Sequence, residues 1–91
     1  MNLMKDFILQ VEEKIKNSKN KYGRSMEIAY YPSSYNGRKI SFGFVTSNHS
    51  VLNNMYRDLY DSGKTKEFLD KLDEVIKVHK KGISSINSFY F

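Results

Sequence analysis

Residues 26–46 read MEIAYYPSSYNGRKISFGFVT, and the way this stretch pairs with itself decides the fold. Two runs rich in aromatic and β-branched residues, MEIAYY and KISFGFVT, flank a segment that holds Pro32, Asn36 and Gly37. Such runs around Asn-Gly read as a β-hairpin, because the pair supplies the two positive-φ positions of a type I′ turn. A strict two-residue turn there pairs Tyr35 with Arg38, Tyr31 with Phe42 and Ala29 with Phe44, and it leaves Met26, Ile28 and Tyr30 on the opposite face. Both faces are then partly apolar. Pro32 offers no N–H, so it belongs at an edge or a bulge. One extra residue beside it brings Met26, Ile28 and Tyr30 onto the face of Ile40, Phe42 and Phe44, and this bulged register is the expected one.

Helical spacing surrounds the hairpin. In residues 3–20, Leu3, Met4, Phe7, Ile8, Val11 and Ile15 fall within one arc of about 140°, which makes an amphipathic helix ending near Asn20–Gly23. Leu9 points the other way. Beyond the hairpin, Ser47 or Asn48 is the N-cap of a second helix carrying Leu52, Met55, Tyr56 and Leu59 up to Ser62-Gly63. A third, capped by Thr65 or Ser62, aligns Phe68, Leu69, Leu72, Val75 and Ile76, with Gly82 just past its end. The tail ISSINSFYF, Ile83–Phe91, is too apolar for water and is expected to add a strand to the hairpin or dock along it. The order α-β-β-α-α-β defines one α+β domain over residues 1–91, with three helices packed largely to one side of a short antiparallel sheet.

Composition narrows the function classes. The chain has no cysteine, which excludes a disulfide framework or thiolate metal site and suits a reducing cytosol, so the expected localisation is cytoplasmic. The N-terminal MNLMKDFILQVEEK mixes Asp6 and two glutamates with its apolar residues at helical spacing and does not read as a signal peptide. No apolar run approaches the roughly 18–20 residues that span a bilayer, so no membrane partner is expected. Fifteen Lys and Arg against ten Asp and Glu leave +5, a balance that attracts polyanions where the charge is clustered.

Three clusters carry that charge. Lys14–Arg24 holds five cations and no acid. Cations suit a helix C-terminus, while the functional reading has Lys19, Lys21 and Arg24 gripping phosphates and Tyr22 stacking on a base. At the hairpin, Arg38 and Lys39 stand beside Tyr35 and Tyr31, an interleaving of aromatic and basic groups found on nucleic-acid-binding sheets and also in plain cross-strand packing. A strand of ten residues spans roughly 33 Å, which sets Arg24 and Arg38 at opposite ends of the hairpin. Lys77, Lys80 and Lys81 follow an acidic stretch whose i, i+4 pairs, Glu67 with Lys71 and Asp73 with Lys77, read as a solvated helix face.

Catalytic signals are sparse. His79 falls in the apolar arc of the third helix and reads as packed, and His49 has no acidic neighbour in sequence. Neither belongs to a metal-ligand motif, and SGKT at Ser62–Thr65 lacks the upstream glycine and strand of a phosphate loop. No metal or cofactor is expected. The reading is a small basic non-enzymatic binding protein, an inhibitor or accessory factor that occludes an acidic or nucleic-acid-handling protein through anchors at Tyr31, Tyr35 and Arg38, by analogy with phage-type inhibitors of host defence. The alternatives are direct binding of nucleic acid or a nucleotide, through Tyr31, Tyr35, Arg38, Lys39, Lys19, Lys21, Tyr22 and Arg24, and a metal-independent ribonuclease moving protons through His49, Arg38 or a tyrosine. A strand edge is the expected seam for a homodimer.

Overall fold

A computed structural model describes residues 3–34, 37–82 and 87–91. Its elements run α1 (Leu3–Lys16), β1 (Glu27–Ser34), β2 (Gly37–Gly43), α2 (His49–Asp61), α3 (Thr65–Lys80) and β3 (Asn87–Tyr90), the expected α-β-β-α-α-β order. The three strands form one antiparallel sheet with β2 in the centre, so the C-terminal tail does add a strand. No helix of the described residues is long and apolar enough to cross a membrane.

The hairpin carries its bulge. Ile28 pairs with Phe42, Tyr30 with Ile40 and Tyr31 with Lys39, after which the register shifts before Ser34 meets Gly37. β1 therefore spends three steps where β2 spends two, and the extra residue lies at Pro32–Ser33. The strict turn pairs Tyr31–Phe42 and Ala29–Phe44 do not form. Gly37 belongs to the ladder, opposite Ser34, and not to the loop. Its φ of 105° still requires glycine, and a Cβ there would stand 3.0 Å from the carbonyl oxygen of Phe91. Tyr35 and Asn36 lie outside the described residues, as do Ile83–Ile86 of the tail.

One face of the sheet builds the core. Ile28, Tyr30, Ile40 and Phe42 are buried on it together with Met26. The helices lay Phe7 and Val11 of α1, Met55, Tyr56 and Leu59 of α2, and Phe68, Leu72, Val75 and Ile76 of α3 against them. Phe7 meets the rings of Tyr56 and Phe68 edge-on at 5.9 and 6.0 Å. Phe44 departs from expectation: β2 stops at Gly43, whose φ is 132°, and Phe44 beyond it is exposed, 5.8 Å from the His79 ring. Leu3 is exposed as well, at the start of α1 beyond its buried Phe7 and Val11.

Helix ends follow side-chain chemistry that periodicity does not read. α1 stops at Lys16, short of Asn20, because the Ser18 N–H and hydroxyl both turn onto the Ile15 carbonyl. Ser18 is fully buried, and its oxygen accepts the Met26 N–H at 2.9 Å, tying the end of α1 to the entry of β1. Asn48 caps α2 by accepting from the Val51 N–H, whereas Ser47 accepts the outward Tyr30 N–H at the edge of β1. Neither Thr65 nor Ser62 caps α3: its N-cap is Lys64, without a side-chain bond, and the Ser62 hydroxyl donates to the Asp58 carbonyl. The ion pairs differ too, since Asp73 binds Lys14 of α1 at 2.7 Å and Lys71 faces Glu74.

Ser18→Ala strips the buried Met26 N–H of its acceptor, so unfolding in urea should show a loss of about 1–3 kcal/mol. Ser50→Ala, on an exposed position of α2, should stay within about 0.5 kcal/mol.

Candidate functional site

Alternation along the strands sends every second side chain away from the helices, and here it makes a row. Tyr31 of β1, Lys39 of β2 and Tyr90 of β3 are cross-strand partners, so their side chains stand side by side across the whole sheet. Tyr31 is 47% and Tyr90 54% exposed, and the Lys39 ammonium lies 5.6 Å from the Tyr31 ring centroid. The neighbouring row is Ala29, Ser41 and Ser88, all small. Ala29 and Ser41 are nonetheless buried, so the exposed part of this face is the pair of tyrosine rings with a cation between them.

Of the hairpin residues expected at a site, Tyr31 and Lys39 come together, Tyr35 lies outside the described residues, and Arg38 goes elsewhere. Arg38 points to the helix side, where its Nε is 3.4 Å from the Asp58 carboxylate and its guanidinium 5.9 Å from the Phe91 ring centroid. The same Asp58 oxygen accepts the Tyr30 hydroxyl, and Tyr30 stacks on Phe91 at 6.4 Å. Arg38 therefore has a structural task, joining α2 to the end of the sheet. Tyr90 was the residue missed, because only its register on β2, opposite Lys39, brings it into the row.

The second basic cluster is also a built feature. The Asn20 side chain accepts the N–H groups of Tyr22 and Arg24, and the Arg24 carbonyl accepts the Asn20 N–H and the His79 Nε2–H, the latter at 2.8 Å. His79 is buried, as expected of a packed histidine, and this bond fixes its tautomer. Lys21 lies against Gly82, with its ammonium 5.3 Å from the ring of the exposed Tyr22. Lys19, Lys21 and Arg24 are thereby gathered with Lys80 and Lys81 at one corner. Seven steps along the chain separate Arg24 from Tyr31, the last four of them within β1, a span of up to about 23 Å when extended, so corner and row are distinct.

His49 gains the acidic company its sequence neighbours lack: it lines a cleft between α1, β1 and α2 together with Glu12 and Glu27. Among the described residues no group of three or more His, Asp or Glu side chains is placed to hold a metal ion.

Two tyrosines are held protonated. Burial, then the hydrogen bond to Asp58 and its charge, push Tyr30 far above its ordinary value, with Arg38 pulling weakly the other way. Burial and the Glu12 carboxylate push Tyr56 up to about 12. The folded pKa exceeds the unfolded value of about 10 in both, so their contribution to stability is complete below pH ~10 and is lost as pH rises through the folded values. Chemical denaturation should show stability declining above about pH 9.5, and the decline should be shallower in Tyr30→Phe and in Tyr56→Phe. At neutral pH, Tyr30→Phe should cost about 1–3 kcal/mol through the lost bond to a charged acceptor. No family model, curated protein or solved structure matches this chain.

Proposed function

We propose that the protein is a non-enzymatic binder of single-stranded nucleic acid, which it holds on the outer face of its sheet. The observation that carries this reading is the exposed Tyr31–Lys39–Tyr90 row. Strands lie about 4.8 Å apart, so two tyrosines on the outer strands are roughly 10 Å apart, with room for a base on each ring and a phosphate over the lysine between them. The corner of Lys19, Lys21, Arg24, Lys80 and Lys81 offers phosphate contacts farther along the strand, with Tyr22 exposed beside them.

A second reading rests on the same row. Two exposed tyrosines around a lysine are also what an acidic protein face would grip, as the occluding-inhibitor reading requires. For a homodimer seamed at a strand edge, β3 is the edge that the backbone favours. The edge of β1 is blunted by Pro32 and by Ser47, whereas the Arg38–Phe91 pair exchanges both its bonds, which turns the backbone groups of Ser88 and Tyr90 outward from β3.

Fluorescence anisotropy with labelled single-stranded RNA and DNA, titrated across salt, separates the readings. Nucleic-acid binding predicts saturation with log affinity falling linearly with log salt. Tyr31→Ala and Tyr90→Ala should each weaken it by about 5- to 150-fold, the equivalent of 1–3 kcal/mol per stacked base. Lys39→Gln should lower the salt slope by about 0.7. Arg38→Gln should reduce stability and leave that slope unchanged. Absence of binding at low salt would move the function to a protein partner.

A further inference from the structure

The cleft beside His49 is separate from the tyrosine row and lies toward the start of β1. Its volume is about 520 Å³, within the range of small-ligand pockets. Ile15 of α1, Met26 and Ile28 at the start of β1, and Leu52 of α2 give it apolar walls. Tyr56, which also lines it, is only 6% exposed, and its hydroxyl makes no hydrogen bond to any described residue. A buried hydroxyl without a partner calls for one.

Charge selects the partner. Glu12 and Glu27 both line the cleft, and neither forms an ion pair among the described residues. Glu12 is close enough to Tyr56 to disfavour its phenolate. Lys16 also lines the cleft, yet it too is outside ion-pair distance of both carboxylates. With His49 neutral the lining carries a formal charge of about −1, on a chain whose total is +5. A cleft of this sign repels the anions that the rest of the surface attracts.

We infer that this cleft is a binding site for a small organic cation: a flat apolar body seated among Ile15, Ile28 and Leu52, with an ammonium or amidinium group held by Glu12, Glu27 and the Tyr56 oxygen. The cation places its donors on two carboxylates and on the lone pairs of the hydroxyl, which are the acceptors the cleft leaves open. The site does not depend on the nucleic-acid reading, because none of its residues belongs to the tyrosine row or the basic corner.

Three probes with one apolar body test it: 2-phenylethylamine, 2-phenylethanol and 3-phenylpropanoate, each titrated into the ¹⁵N- and methyl-labelled protein and followed by NMR. The amine should shift Met26, Ile28 and Leu52 resonances saturably and bind about tenfold or more tighter than the alcohol, the margin of a charge-assisted hydrogen bond. The carboxylate should not saturate. Glu27→Gln and Tyr56→Phe should each weaken the amine by about tenfold while the thermal midpoint of the unliganded protein holds steady. Equal binding of amine and alcohol, saturation by the carboxylate, undiminished amine binding in Tyr56→Phe, or no saturable shift with any probe overturns the inference. Anisotropy with single-stranded RNA, run with and without the amine, should be unchanged, which keeps this outcome apart from that of the proposed function.

Discussion

The extra residue of β1 at Pro32–Ser33 sets the side of the sheet on which each side chain lies. A one-residue change of register moves an entire strand's apolar set to the other face. With the bulge, Ile28 and Tyr30 share the helix side with Ile40 and Phe42, and Tyr31 stands outside with Lys39. Without it the hairpin would place Tyr31 opposite Phe42, dividing the aromatics between core and solvent. The bulge falls at the one residue in the chain that cannot donate to a ladder, and β1 is an edge strand, where the missing N–H has no neighbour to disappoint.

From that register follows the knot at the turn end of the sheet. Tyr30 and Arg38 both reach one Asp58 oxygen from the helix face, and Phe91 lies between them, stacked on Tyr30 and facing the guanidinium. The backbone of Phe91 pairs with Arg38 in both directions, at 2.8 and 2.9 Å. A single carboxylate thus anchors α2, β1, β2 and the last residue of the chain. Asp58 and Arg38 are both partly exposed, so the ion pair itself is screened and weak. The greater part of the stabilisation comes from the Tyr30 hydroxyl bond to a charged acceptor and from the apolar area of the three rings and stems.

The elements were legible in the sequence because they rest on periodicity: the 3.6-residue stripes of α1, α2 and α3, the β-prone runs, and a proline placed where only a bulge reconciles the two faces. Helix ends were not legible, since Ser18 and Lys64 act through bonds to groups that periodicity does not locate. The site was half legible. Tyr31 and Lys39 were visible as an aromatic and a cation near the turn, but Arg38, one residue away, was indistinguishable from Lys39 until strand parity assigned them opposite faces. Tyr90 joins them only through the β2–β3 register, which no local pattern encodes. Glu12, Glu27 and His49 are separated by 15 and 22 positions in the chain, and only the packing of α1 and α2 against β1 brings them to one cleft.

Affinity arithmetic then assigns the basic corner a part in the proposed function. Two stacked bases supply about 2–6 kcal/mol between them. A micromolar complex needs about 8 kcal/mol net of the cost of association. One lysine between two tyrosines does not close that gap, since a single phosphate contact shifts binding by little at physiological salt. The corner of Lys19, Lys21, Arg24, Lys80 and Lys81 adds five cations, and Arg24 lies up to about 23 Å of extended chain from Tyr31, a span that a strand of several nucleotides crosses. The backbone that carries Lys21 and Arg24 is fixed by the Asn20 turn and by the His79 bond to the Arg24 carbonyl, so less backbone ordering is left to do on binding than in a free loop. On this reading stacking places the strand on the sheet, and the distant corner sets how strongly salt releases it.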